Sequence, residues 1–150
     1  MDMQFTALPD PETDPQFYRD VPMKRLIAWV ADTILISLAS LLVVAATLFL
    51  TLFMFPAIFV AVHFAYRSFF LARNSATPGM QIMAIEIRGG RGHRLDTVEA
   101  VLHTLVYSVI AAFVLPQLIS IVLMATTSRG QGLHDMALGT TAINRPADRY

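Results

Sequence analysis

The chain has no cysteine among its 150 residues. Disulfides, thiolate catalysis and cysteine-based metal sites are therefore excluded. Charge is also scarce, since Lys, Arg, Asp and Glu make up 15% of the residues and hydrophobic residues 55%, which is too apolar for a small soluble domain. The five basic residues between positions 67 and 94 lack interleaved aromatics, which argues against nucleic-acid binding.

Motifs for enzyme chemistry are missing as well. The chain contains no nucleophile elbow, phosphate loop or zinc-protease motif, so we expect no enzyme activity and no cofactor. The four histidines show no metal-ligand spacing, so no metal site is predicted. Glu99 and His103 lie four residues apart on one predicted helix face, and we expect them to pair.

Long uncharged runs predict a membrane protein. Residues 33–66 carry no formally charged side chain, and a helix crosses the hydrocarbon core with about 20 apolar residues. This run and its flanks predict two spans, at about 23–48 and 55–73. Alanines repeat every four residues in the second span, at positions 57, 61 and 65, and are expected to pack against the first helix, with dimerisation as the alternative.

A third hydrophobic segment is predicted over residues 97–126, with Pro116 near its centre. Proline there should kink or break the helix, and either a single tilted span or a re-entrant pair is compatible with the pattern. Around the spans we expect a disordered acidic tail over residues 1–22, a membrane domain over 23–145 and a short tail over 146–150. The first apolar run is too long for a cleavable signal peptide.

The predicted fold class is an all-α membrane protein. It has a helical hairpin of two transmembrane helices, a third hydrophobic helical segment kinked at Pro116, and a small cytoplasmic β-hairpin-like element. That element pairs a strand at 82–87 with the β-like run at 140–143. Lys and Arg number three before the first span, none between the first two spans and five from Arg67 to Arg94. This bias predicts a cytoplasmic N-terminus and favours a cytoplasmic C-terminal tail.

Asp32 is the most informative charged residue, because it lies inside an apolar helix. A carboxylate at such a position costs about 2.5–3.5 kcal/mol on insertion scales, so it needs a partner or a function. One hypothesis pairs Asp32 with Arg67 to lock the hairpin. The other places Asp32 in a polar cavity, where it binds a proton or a cation. For Asp135, the alternatives are capping of local amides and an ion pair with Arg25.

These residues resemble the RDD family of membrane proteins, which is named for one arginine and two aspartates. The matching residues are Arg25 at the start of the first helix, Asp32 within it and Asp135 in the sequence Leu-His-Asp. The turn at 77–79 and the closing residues 139–140 resemble further landmarks, and the resemblance covers roughly residues 19–145. A basic residue commonly follows two of these elements in the family, where this chain has Met80 and Met136.

The resemblance implies an integral membrane protein, and transport is the usual conjecture for the family. The first hypothesis is therefore transport of protons, cations or a small solute through Asp32, with Arg25 and Asp135 as a cytoplasmic gate and Arg67 as a further binding or transport candidate. The alternative is a non-catalytic scaffold or accessory subunit in which Arg25, Asp32 and Asp135 are structural. The expected partners are the lipid bilayer, a second copy or another membrane protein, and the expected location is the bacterial plasma membrane.

Overall fold

Helices α1 (Val21–Ala46) and α2 (Phe55–Asn74) form a hairpin in the computed structural model, which describes residues 8–145. Each helix has a proline in its first turn, where a missing N–H leaves no hydrogen bond unmade. The bounds of the two helices agree with those of the predicted spans to within two residues at every end. Together with short flanking 3-10 turns, both helices are long and apolar enough to cross a membrane.

The connection between the two helices is uncharged and apolar. Thr47 Oγ1 donates to the carbonyl oxygen of Val44 at 2.9 Å and lies 2.6 Å from Thr51 Oγ1, which satisfies backbone and hydroxyl groups at the end of α1. The tip is fully open, since Phe53 is 98% exposed. Such a surface suits a lipid environment, because the transfer of apolar side chains from water into lipid is favourable.

The third hydrophobic segment is two helices, α4 (Thr97–Ala111) and α5 (Val114–Thr126), bent by 115°. Asp96 with Glu99 three residues later predicts a helix N-terminus, and the structure has this capping box at the start of α4, with Asp96 and Glu99 each accepting from the other's backbone N–H. The kink expected at Pro116 lies instead at residues 112–113. Because a proline ring clashes with the carbonyl four residues earlier, Pro116 forces the break upstream and itself fits in the first turn of α5.

A two-stranded antiparallel sheet joins β1 (Ile85–Gly89) to β2 (Thr140–Asn144), with Ile87 opposite Ala142. The predicted pairing of these two segments is confirmed, but the first strand begins three residues later than expected. Residues 78–82 form the short helix α3 (Pro78–Ile82) instead, because Thr77 caps it and Pro78 suits its first position. The short helix α6 (Leu133–Leu138) precedes β2 and ends at Gly139, whose φ of +64° suits glycine.

The sheet lies at the end of the hairpin where α1 begins and α2 ends. Lys24 Nζ donates to Asn144 Oδ1 at 2.7 Å, and the Ile87 N–H donates to the carbonyl oxygen of Ser75 at 2.7 Å. The Leu95 N–H donates to Ser75 Oγ at 2.8 Å, which brings the start of α4 to the same end. The main apolar core lies here, formed by Val21, Ala28, Leu71, Ala76, Met80, Ile85, Ile87, Leu95, Ala100 and Ala142.

The segment before α1 is folded against the domain over its described part, in contrast to the predicted disordered tail. Residues Pro15–Phe17 form a 3-10 turn, and the buried Tyr18 donates its hydroxyl to the carbonyl oxygen of Pro9 at 2.6 Å. The amide of Asn144 donates to the carbonyl oxygen of Arg19, which attaches the segment to β2. Residues 1–7 and the predicted tail at 146–150 lie outside the described residues.

Ala57, Ala61 and Ala65 are all exposed. The expectation that they pack against the first helix is therefore wrong. The face of α2 that is buried carries Arg67 and Leu71 instead. A four-residue repeat of small side chains identifies one helix face, but it does not say which neighbour that face meets.

Candidate functional site

The site begins with a buried ion pair between α1 and α6. Arg25 Nη1 donates to Asp135 Oδ2 at 2.6 Å, and the same nitrogen donates to the carbonyl oxygen of Gly130 at 3.2 Å. Asp135 is completely buried and Arg25 is nearly so. The predicted contact between these two residues, which are 110 positions apart, is confirmed.

Asp135 also fulfils its alternative role, the capping of local amides. Its Oδ2 accepts from the Gly132 N–H at 3.0 Å, and its Oδ1 accepts from Thr140 Oγ1 at 3.2 Å and from His103 Nε2 at 3.1 Å. Burial alone would raise the pKa of Asp135, but the charge of Arg25 and the hydrogen bond from His103 hold it well below its usual value. The carboxylate is thus fully hydrogen-bonded and ionised.

Two histidines complete this first centre, and their tautomers follow from their partners. Because a guanidinium only donates, His134 Nε2 accepts from Arg25 Nη2 at 2.9 Å and the proton lies on Nδ1. Burial lowers the pKa of His134 to about 3, so the ring is neutral. His103 has the opposite arrangement, since its Nε2 must donate to the carboxylate of Asp135.

His103, His134 and Asp135 bring their ligand atoms within 4.8 Å of one another, as a metal site requires. The sequence did not indicate this cluster, because His103 and Asp135 are 32 residues apart in the chain. The guanidinium of Arg25, however, already donates to two of the three side chains. A metal ion would have to displace this cation, so the geometry fits an ion-pair network better than a metal site.

The second centre is Asp32, which joins three helices. Its Oδ1 accepts from the Tyr66 hydroxyl at 2.7 Å and from the Gly79 N–H at 2.8 Å, and its Oδ2 accepts from Thr77 Oγ1 at 2.5 Å. A Cβ at position 79 would lie 2.3 Å from the carbonyl oxygen of Ala28 and 2.9 Å from Asp32 Cγ. Only glycine therefore allows α3 to approach α1 this closely.

The predicted Asp32–Arg67 pair is wrong, since no ion pair joins them within 4.0 Å among the described residues. The Arg67 guanidinium lies over the ring of Tyr107, 4.1 Å from its centroid, a favourable cation–π contact. Arg67 is only 7% exposed, and its Nε has no hydrogen-bond partner in the described part of the chain. A buried guanidinium N–H without an acceptor is unusual and costly.

A small cavity connects Asp32 with Arg67. It has a volume of about 20 Å³ and is lined by Trp29, Asp32, Thr33, Ile36, His63, Tyr66, Arg67 and Thr77. This volume holds about one water-sized species. The cavity therefore places an acidic group, a basic group and a histidine around one small polar space between α1 and α2.

Sequence reasoning missed several residues of both centres. Tyr66 is not among the site residues that the sequence predicts, and the sequence predicts a pair of His103 with Glu99. Glu99 instead accepts from the Asp96 N–H at 3.0 Å and lies 2.8 Å from His93 Nε2. A histidine inside an uncharged helix, as at position 103, was the available signal, because it needs a partner from elsewhere in the fold.

The model of the RDD family matches residues 20–139. The chain belongs to the RDD family. No curated protein and no solved structure matches it. The three residues of the family's name are all buried in this RDD protein, Arg25 and Asp135 in one centre and Asp32 in the other. With two helices able to span a membrane, the protein is a membrane protein that contacts lipid.

Proposed function

We propose that this protein moves protons or a small monovalent cation across a membrane, with the Asp32 carboxylate as the group that takes up and releases the ion. One observation carries this proposal. The cavity places Asp32 beside Arg67, whose buried Nε finds no hydrogen-bond acceptor among the described residues. Polar and charged residues inside membrane segments commonly mark ion pathways.

The size and the atoms of the cavity favour a small ion over a larger solute. A space of about 20 Å³ admits a water molecule or a monovalent cation of similar size. The oxygen atoms of Asp32, Tyr66 and Thr77 meet at this space, and oxygen ligands suit hard cations. A bound proton needs only the carboxylate, with Tyr66 and Thr77 reorienting their hydroxyl groups.

In this proposal, the Arg67 guanidinium competes with the transported ion for the Asp32 carboxylate. Its guanidinium has no ion pair within 4.0 Å among the described residues, and it rests on the ring of Tyr107. When the ion leaves Asp32, the guanidinium can move towards the carboxylate and neutralise it. When an ion arrives, the guanidinium returns to Tyr107. In such an exchange the Asp32 carboxylate has a cationic partner in both states, which a low-dielectric site requires.

One chain provides two helices able to span a membrane and one strongly bent pair, which is too few to enclose a path. We therefore propose that a second copy, or another membrane protein, completes the path. The outer face of α2 is available for this contact, since only 6% of the residues in its apolar stretch are buried within the chain. In this proposal, a neighbouring protein in the membrane provides the part of the ion path that one chain cannot enclose.

The test is ion flux in proteoliposomes with imposed gradients of H⁺, Na⁺, K⁺ or Li⁺. We expect the wild type to dissipate at least one gradient faster than protein-free vesicles, and Asp32→Asn to lose this flux. Asp20→Asn is the matched control, because it removes the same charge from an exposed position just before α1. Equal flux in the wild type and Asp32→Asn would end the proposal.

A scaffold role is the second candidate, and the hydrogen bonds of Asp32 favour it. The three donors to Asp32 lie in α2, at the cap of α3 and within α3, so the carboxylate also holds the fold together. In this case Asp32→Asn lowers the unfolding temperature and the wild type shows no flux. Gentle extraction would then recover the protein with a stoichiometric membrane partner.

A further inference from the structure

An arginine cluster surrounds Glu86 on the sheet, outside the polar centres described above. Arg88 donates to Glu86 Oε1 from both Nε, at 2.7 Å, and Nη2. Arg94 Nη2 donates to Glu86 Oε2 at 3.4 Å, and Arg145 Nε lies 3.6 Å from the same oxygen. Among residues 8–145, three guanidinium groups therefore share one carboxylate, which leaves two positive charges in excess in this part of the chain.

The excess charge is only partly solvated. Glu86 is 1% exposed and Arg88 is 7% exposed, whereas the side chains of Arg94 and Arg145 are 45% and 25% exposed. The Nε of Arg145 is buried and has no hydrogen-bond partner among the described residues. Like charges that converge at low exposure repel each other, so a further anion would stabilise the cluster that the described residues form.

The position of the cluster decides which anion is expected. The sheet is attached to the first turn of α1 through Lys24 and to the end of α2 through Ser75. In a protein whose two long helices cross a membrane, these helix ends lie at the level of the lipid headgroups. The opposite turn, over residues 47–54, has no charged side chain.

We infer that the arginine cluster of Arg88, Arg94 and Arg145 binds the phosphate of an anionic phospholipid headgroup. Guanidinium groups present paired N–H donors that match phosphate oxygens. Half-exposed Arg94 and part-exposed Arg145 reach the headgroup, while Glu86 holds Arg88 in position behind them. The excess positive charge selects an anionic lipid over a zwitterionic one.

The experiment measures binding of phosphatidylglycerol to the full chain in nanodiscs of phosphatidylcholine, with spin-labelled lipid as the probe. We expect the wild type to retain phosphatidylglycerol preferentially, and Arg94→Gln to bind it about fivefold more weakly, as expected for the loss of one arginine near an anionic surface. Arg19→Gln is the matched control, since Arg19 is an exposed arginine outside the cluster. Its lipid preference should match the wild type.

Three outcomes would overturn the inference. They are equal lipid preference in the wild type and in Arg94→Gln, an equal loss in Arg19→Gln, and displacement of the lipid by millimolar inorganic phosphate, which would identify a site for the free anion. A second variant, Glu86→Gln, covers the case in which Arg94→Gln alters the fold. With the competing carboxylate removed, lipid retention should rise, and a fall in a folded Glu86→Gln protein would contradict the inference.

Discussion

The two buried aspartates are stabilised by different chemistry. Asp135 accepts directly from the Arg25 guanidinium, and the two residues form a buried ion pair, called the closed pair below. Within the described part of the chain, Asp32 accepts only from uncharged donors, two hydroxyl groups and one backbone N–H, while the nearby Arg67 stacks on Tyr107. The first arrangement leaves no ligand to exchange. The second leaves a carboxylate and a guanidinium that can each take a new partner, which is why the proposed ion site is Asp32.

Removal of one partner of the closed pair should be costly. We expect Arg25→Ala to lower the free energy of unfolding by about 3–5 kcal/mol, because Asp135 is then a buried, uncompensated charge. Denaturation in detergent, followed by circular dichroism, measures this loss. Arg19→Ala, at an exposed arginine of the same chain end, should change stability by less than about 0.5 kcal/mol. Similar losses in both variants would contradict the assigned role of Arg25.

The neutral state of His134 predicts how stability depends on pH. Its pKa is about 3 in the folded protein and about 6.5 when unfolded, so the unfolded state binds the proton more readily. Stability is therefore complete above about pH 6.5 and falls as the pH drops towards 3, by at most about 1.4 kcal/mol per pH unit from this group.

His134→Gln tests this prediction, because glutamine can still accept from Arg25 but does not titrate. Unfolding temperatures in detergent at a series of pH values between 7 and 4.5 should decline less steeply in the variant than in the wild type. Parallel slopes would show that His134 is not buried in its neutral form.

At the level of secondary structure, the sequence was most informative where one physical demand dominates. The bounds of α1 and α2 follow from uncharged length, and the capping box of Asp96 and Glu99 follows from local hydrogen bonding. The partners of Asp32 could not be predicted, because Thr77 and Gly79 reach it only through α3. That short helix depends on a close approach to Ala28 in the folded chain, which no local pattern encodes.

Helices α4 and α5 raise the question of how the third segment meets the membrane. At about 1.5 Å per residue, their 15 and 13 residues extend about 22 and 20 Å, short of the roughly 30 Å core. The start of α4 is held at the sheet end of the hairpin through the Leu95 N–H and Ser75 Oγ, and the chain just after α5 returns to the first centre through Gly130 and Arg25. We therefore predict that the pair is re-entrant and that its two ends lie on one side of the membrane.

Single cysteines test this topology directly, because the chain has none of its own. Val98 and Leu50 are exposed, at 65% and 83%, and Ser128 is exposed as well. An impermeant maleimide should label Val98→Cys and Ser128→Cys from the same side of sealed, oriented vesicles, and Leu50→Cys from the opposite side. Labelling of positions 98 and 128 from opposite sides would mean that α4 and α5 together cross the bilayer.

At the scale of the whole molecule, the chain is strongly polarised. The sheet, its arginine cluster and both polar centres lie towards the end where α1 begins, whereas the hairpin turn and the α4–α5 break are uncharged. Packing is correspondingly uneven, since the apolar core lies at the sheet end and the outer surface of the spans is left for lipid or another protein. The sheet with its arginine cluster, the proposed ion site and the uncharged hairpin turn thus follow one another along the axis of the hairpin.

The most direct measurement compares ion flux and unfolding temperature in the same reconstituted samples of the wild type and Asp32→Asn. Our account predicts that Asp32→Asn remains folded, at equal protein density in the vesicles, while its flux falls to that of protein-free vesicles. A folded Asp32→Asn protein with undiminished flux would contradict the account, because the ion would then move without the carboxylate at position 32.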